Sequence, residues 1–150
     1  MYIQELFGMG QDKSFLHNCL YFTANSLARG MTRLAEAEFA RTGISPSHAF
    51  LMMFVNERPG SIQKDLSDEL NLAPSTVTRF IDTLVRKGLL RRTADGRNAL
   101  IYPTEEGARL QAELLGAWQR LFQRYTQILG EEDSQSLTQA VDKAARALGK

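Results

Sequence analysis

Three hydroxyl side chains and an arginine, Ser75, Thr76, Thr78 and Arg79, fall within five residues directly after Pro74. Proline suits the first helical position, so these residues open a helix rather than sit inside one. A helix N-terminus of this kind offers small donors and acceptors, a forked cation and free amides. That is the chemistry of touching base edges at the floor of a major groove and holding a phosphate. Further cations follow at Arg86, Arg91 and Arg97, the last beside an Asp95-Gly96 pair. An arginine at a turn tip suits a narrow minor groove or the backbone beside it, and Asp95 is placed to orient its guanidinium as a fork-like pair. The plainer readings are a solvated helix face and a turn with incidental charges.

The elements that must position these residues can be read from periodicity. In the stretch from Ser61 to Thr104, Ile62, Leu66, Leu70 and Leu72 recur at near-helical spacing, and Ser61 is the expected N-cap. Asn71 and Ala73-Pro74 interrupt that helix. Val77, Ile81, Leu84 and Val85 then make one apolar stripe, with the hydroxyls, Arg79, Asp82 and Arg86 opposite. Gly88 is a helix stop, since glycine takes the left-handed conformation cheaply. Leu89–Arg92 and Ala99–Pro103 read as strands around a polar tip at Thr93–Asn98, where Asp-Gly signals a hairpin. Helix, turn, helix and hairpin in this order outline a winged helix-turn-helix.

Charge follows the same outline. Between Ala73 and Asn98 there are six basic residues and two acidic ones, a local balance of +4 in a chain of +1. The remainder is therefore −3. A nearly neutral chain gathers its positive charge on one supersecondary unit, as a phosphate-binding surface requires.

The flanks are long helices. From about Ser14 to Arg41 a wide apolar face runs through Phe15, Leu20, Leu27, Met31 and Leu34, predicting one helix of roughly 42 Å ended by Gly43. Ser45-Pro46 opens another, closed by Pro59-Gly60. Beyond the hairpin, Thr104 starts a long helix on which Leu110, Leu114, Trp118, Leu121, Tyr125 and Ile128 step by three and four. After Gly130 a last helix carries Leu137, Val141, Ala144 and Leu148. The outer stripes have no winged-helix surface left to cover, so a second copy of the chain is the expected partner, in a twofold pair that sets two recognition helices about one DNA turn apart. A monomeric bundle with both ends folded back is the alternative. The expected fold class is thus mostly α (α+β), with long N- and C-terminal dimerisation helices at 1–42 and 105–150 around a DNA-binding region at 43–104.

Other classes find little support. The chain has 150 residues, 43% of them hydrophobic, and no stretch near the roughly 20 apolar residues that span a bilayer. The start, MYIQELFGMG, lacks a basic-then-apolar secretory layout, residues 1–12 read as an arm, and a single cysteine suits a reducing compartment. Cytoplasmic residence is expected. There is no H-E-x-x-H, G-x-S-x-G or P-loop, so an enzyme is not expected. His17 and His48 are isolated, leaving no metal or cofactor site to predict. Both read as surface or capping residues.

Residues 43–107 resemble the winged-helix domain of the MarR family of bacterial transcriptional regulators. The resemblance rests on Gly43-Ile44-Ser45, Gln63-Lys64-Asp65-Leu66, Ser75-Thr76-Val77-Thr78-Arg79, Leu84, Lys87-Gly88-Leu89-Leu90, Asp95-Gly96-Arg97 and Pro103-Thr104-Glu105-Glu106-Gly107. Ala73, where a hydroxyl cap is usual, and one wing arginine instead of two depart from the family pattern. The resemblance implies a homodimer on double-stranded DNA at a palindromic operator, most often a repressor, released by a small aromatic or phenolic effector. Ser75, Thr76, Thr78 and Arg79 would read the major groove, Arg86 and Arg91 would hold phosphate, and Arg97 with Asp95 would place the wing. Tyr21, Met31, Phe50, Met52, Met53 and Trp118 are candidates to line an apolar effector cavity, although methionines and aromatics at such spacing commonly serve as core. Cys19 reads as a buried structural cysteine. The family's peroxide-sensing branch, with a reactive thiol near this place, implies the alternative of a redox sensor. A winged helix that binds protein instead of DNA is the remaining alternative.

Overall fold

The computed structural model describes residues 14–149. A 3₁₀ turn, Phe15–Asn18, leads to helix α1, Leu20–Phe39, which a second 3₁₀ turn at Ala40–Thr42 ends with Gly43 at φ +79°. Helix α2 spans Pro46–Glu57, α3 Gln63–Leu70 and α4 Pro74–Arg86. A two-residue strand β1, Ser61–Ile62, precedes α3. The hairpin follows as β2, Leu90–Asp95, and β3, Asn98–Pro103. Helices α5, Glu105–Arg109, α6, Gln111–Leu129, and α7, Glu131–Leu148, complete the chain. The candidate arm at residues 1–12 lies outside the described residues.

The first helix is shorter than its apolar pattern predicts. The Cys19 N–H closes the 3₁₀ turn onto the Leu16 carbonyl, and Cys19 itself is extended (φ −101°, ψ 120°). Thr23 Oγ1 then donates to the Cys19 carbonyl at 2.9 Å. The chain therefore enters α1 one residue later, and 20 residues give about 30 Å rather than the expected length.

The core is built by one stripe from each inner element. Leu51, Met52 and Val55 of α2, Leu66 of α3, Val77, Ile81 and Leu84 of α4, Leu90, Ile101 and Leu114 are all fully or almost fully buried, with Phe39 and Ala117 closing the top. The sheet order is β1-β3-β2, all antiparallel. Ser61, expected as a helix cap, pairs with Ile101 across β3 instead, and its hydroxyl donates to the Arg58 carbonyl. The helix it was to cap starts at Gln63 with no side-chain cap.

Helix α4 ends in two bonds that form a complete Schellman motif. The Gly88 N–H donates to the Val85 carbonyl, and the Leu89 N–H to the Leu84 carbonyl, both at 2.9 Å. The wing returns to the same place. Thr104 caps α5 by accepting from the Gly107 N–H at 3.1 Å, donates its own hydroxyl to the Gly88 carbonyl at 2.6 Å, and bonds the Leu89 carbonyl through its backbone N–H at 3.0 Å. Gly107 packs so closely here that a Cβ would lie 2.1 Å from the Leu89 carbonyl oxygen. The recognition helix, the wing and α5 are thus fastened at one point.

Candidate nucleic-acid interface

The N-terminal half of α4 is placed by its buried stripe and by one side chain from α3. Val77, Ile81 and Leu84 face the core, which turns Ser75 and Arg79 to solvent and leaves Thr76 and Thr78 half-buried. Gln63 Nε2 donates to the Pro74 carbonyl at 3.2 Å and to Thr78 Oγ1, while Thr78 Oγ1 donates back to the Pro74 carbonyl at 3.0 Å. The Thr78 hydroxyl is therefore committed within the fold. Arg79 reaches back to Thr76 Oγ1 at 3.4 Å. Arg86, one helical turn beyond Thr83, donates to its Oγ1 at 3.2 Å.

The wing is longer and its turn tighter than the sequence predicts. Strand pairing continues to Asp95↔Asn98, so only Gly96 and Arg97 form the turn. Gly96 at φ +60° is its first central residue, the place where a two-residue hairpin of the II′ kind demands glycine. Arg97 is exposed at the tip. Its expected ion pair with Asp95 is not formed among the described residues. Asp95 closes the last ladder pair with Asn98, and Arg97 is one of the two turn residues beyond it. The carboxylate that does engage a wing arginine is Asp82 of α4, paired with Arg92 of β2. This helix-to-wing tie escaped the sequence reading because ten residues and a chain reversal separate its partners. Arg91, expected as a phosphate contact, lies with its guanidinium over the Tyr102 ring, 4.6 Å from the centroid, directly across the ladder. The ring restrains the arginine and leaves its outer edge exposed.

His48, read as a surface or capping residue, sits half-buried beside the N-cap of α2, where its N–H donates to Ser45 Oγ. Its ring stacks on Phe80 of α4 at 4.3 Å and its Nδ1 is bonded to Ser45 Oγ at the start of α2. Burial first, and Lys87 second, hold its pKa below the ordinary value.

The six cavity candidates do not share one cavity. Phe50, Met53 and Trp118 line a cleft of about 680 Å³ between α2, α3 and α6. Met31 lines separate hollows with Tyr125, between α1 and the helices α6 and α7. Met52 is wholly buried in the core, and Tyr21 is 80% exposed on α1, away from all of them. Adjacent helical positions differ by about 100°, so Met52 and Met53 cannot face the same space. Cys19, read as buried, is exposed because α1 begins only after it. No group of three or more histidines, cysteines or carboxylates that could hold a metal occurs among the described residues.

A family model described as the MarR family matches residues 44–99, from two residues before α2 to the second residue of β3. Over that segment the chain is similar to the MarR family. Two proteins of Bacillus subtilis (strain 168) are similar to the chain. The HTH-type transcriptional repressor MdtR is 24% identical over 110 residues, 71% of each chain. The uncharacterised HTH-type transcriptional regulator YybA is 25% identical over 87 residues, 56% of this chain, and the match spans only 58% of YybA's length. Among solved structures, the PcaV regulator of Streptomyces coelicolor, in complex with its natural ligand, superposes with a TM-score of 0.80 at 23% identity, covering 93% of this chain and 99% of that one. The last is a likeness of fold. The likeness of fold thus extends beyond the matched 44–99 segment to the long helices on either side.

Proposed function

We propose that the chain is a transcriptional repressor that grips a palindromic duplex as a homodimer and releases it when a small aromatic molecule binds. The observation that carries this reading is the +4 balance on one helix-wing unit of a chain whose net charge is +1. Region 43–104 is the DNA-binding part in this proposal, and the helices outside it hold the pair together. Ser75, Thr76 and Arg79 address base edges, and Thr78 offers its methyl, which suits the methyl of thymine. Arg86 and Arg91 neutralise phosphates, and Arg97 carries the wing tip to the neighbouring groove. Asp95 ends the ladder that holds Arg97 there.

Pairing is supported by apolar side chains that the single chain leaves in solvent. Leu20 is 70% exposed, Ile128 68% and Leu148 82%. The chain needs no enzymatic role in this reading, and no helix among the described residues is long and apolar enough to cross a membrane. The test is a salt-titrated binding assay on duplexes from the gene's own promoter region, repeated with candidate aromatic ligands. Tight binding whose logarithm falls steeply with the logarithm of salt is expected. Indifference to every promoter fragment at low ionic strength would remove the proposal.

A second reading is favoured by the exposure of Cys19, which gives an oxidant access to the thiol. Treating the DNA complex with an organic peroxide separates the two, because release by oxidation requires Cys19 and survives in no Cys19→Ser variant.

A further inference from the structure

The cleft between α2, α3 and α6 has an electrostatic character that phenolic anions do not match. Phe50, Phe54 and Trp118 give it aromatic walls, and the charged residues lining it are two carboxylates, Glu57 and Glu69, with no lysine, arginine or histidine among the lining residues. Neither carboxylate takes part in an ion pair among the described residues. Arg58, which follows Glu57 in the chain, holds its guanidinium 5.2 Å from the Phe54 ring centroid and is not among the lining residues.

Their placement is also unusual for helix stability. Glu57 is the last residue of α2 and Glu69 the penultimate residue of α3, and neither last turn contains a basic residue. Helix C-terminal carbonyls carry partial negative charge, so a carboxylate there is disfavoured where a cation would be welcome. Two such ends line one aromatic cleft. A volume of about 680 Å³ accommodates a drug-sized molecule.

We infer that this cleft takes a small aromatic cation, a ring bearing a quaternary or protonated amine, and not an aromatic anion. The ring lies against Phe50 and Trp118, and the ammonium is held by the aromatic faces together with Glu57 and Glu69. This assignment rests on the ligand-released repressor proposed above and names the class of its ligand.

Trp118 is the only tryptophan of the chain, so its fluorescence reports the cleft directly. The full-length protein is titrated with phenyltrimethylammonium, its neutral isostere tert-butylbenzene, and benzoate. The expected order of affinity is cation, neutral, anion, with the cation ahead of the isostere by about fivefold or more. Added salt weakens the cation and not the isostere. Glu57→Gln with Glu69→Gln brings cation and isostere to within about twofold, and Glu57→Lys with Glu69→Lys reverses the order. Circular dichroism of each variant establishes that its helices are intact, and a variant that unfolds is replaced by the single Glu69→Gln, for which half the narrowing is expected. Benzoate binding as tightly as the cation, no response of Trp118 to any probe, or an unchanged order in the charge variants would overturn the assignment. Release of promoter DNA is measured separately. A cation that binds in the expected order yet leaves the DNA complex intact sustains the charge assignment and overturns the release mechanism instead.

Discussion

Arg97 stands at the wing tip as one of only two turn residues, with no carboxylate partner among the described residues. Its charge is therefore fully available to a duplex. Replacing it with alanine should weaken binding and reduce the salt slope by about one unit, the signature of a single lost phosphate contact. An unchanged slope in a salt titration would strike it from the contact surface. His48 makes a prediction of a different kind. Its folded pKa is lowered, so the unfolded chain binds the proton more readily. The stability it contributes is complete above the unfolded value of about 6.5 and is lost as pH falls through that value towards the folded one. Thermal unfolding from pH 7.5 to 5.5 should accordingly show a steeper drop in Tm for the native chain than for His48→Phe, which keeps a ring on Phe80 and has no proton to gain. At this scale the residue types at the helix tip and wing were legible, and their internal commitments were not. Nothing in the spacing of Thr78 announces that Gln63 and Pro74 occupy its hydroxyl. Nor does it announce that Arg92, rather than Arg97, has the acidic partner.

At the scale of elements, punctuation decided what could be read. Helix α4 carries an unbroken apolar stripe, begins at Pro74 and stops at Arg86, two residues before the left-handed Gly88. The start of α1 has neither proline nor glycine, and apolar residues continue through the 3₁₀ turn, so hydrophobic pattern alone extends the helix too far. Strand β1 is two residues long and has no period to detect; it exists because Gly60 and Ser61 meet Ile101 from outside. Gly107 is the element-scale test. A Cβ there would meet the Leu89 carbonyl at 2.1 Å and Met52 Cε at 2.9 Å, and backbone cannot yield as a flexible side-chain end does. Gly107→Ala should cost about 1–3 kcal/mol and lower Tm by several degrees in a thermal melt. A melt indistinguishable from the native one would mean that α5 shifts freely away from the wing.

For the whole molecule, the long helices are tied to one another within the chain before any partner arrives. Glu38 of α1, only 17% exposed in its side chain, accepts from Arg120 and from Arg124 of α6, each at 3.1 Å. Large apolar side chains nevertheless stay exposed on α1, α6 and α7, among them Leu20 of α1, Ile128 of α6 and Leu148 of α7. Leu20→Glu combined with Ile128→Glu should yield a monomer by sedimentation and weaken binding to a two-half operator by about a hundredfold, since the second contact is no longer intramolecular. A dimer that persists in this variant would place the pairing surface elsewhere. The presence of outer stripes was readable from their periodicity. Which methionines belong to a cleft and which to the core was not, because that depends on the rotation of each helix about its own axis.

The knot at Thr104, where one hydroxyl joins Gly88 and Gly107, means that the reading helix, the hairpin and α5 travel together. A calliper behaves in this way: its jaws keep their shape while the gap between them changes. A signal arriving through the long helices can therefore spoil the fit to two half-sites at once while leaving the grip on either one untouched. Short duplexes carrying a single half-site should be bound equally well with and without the effector.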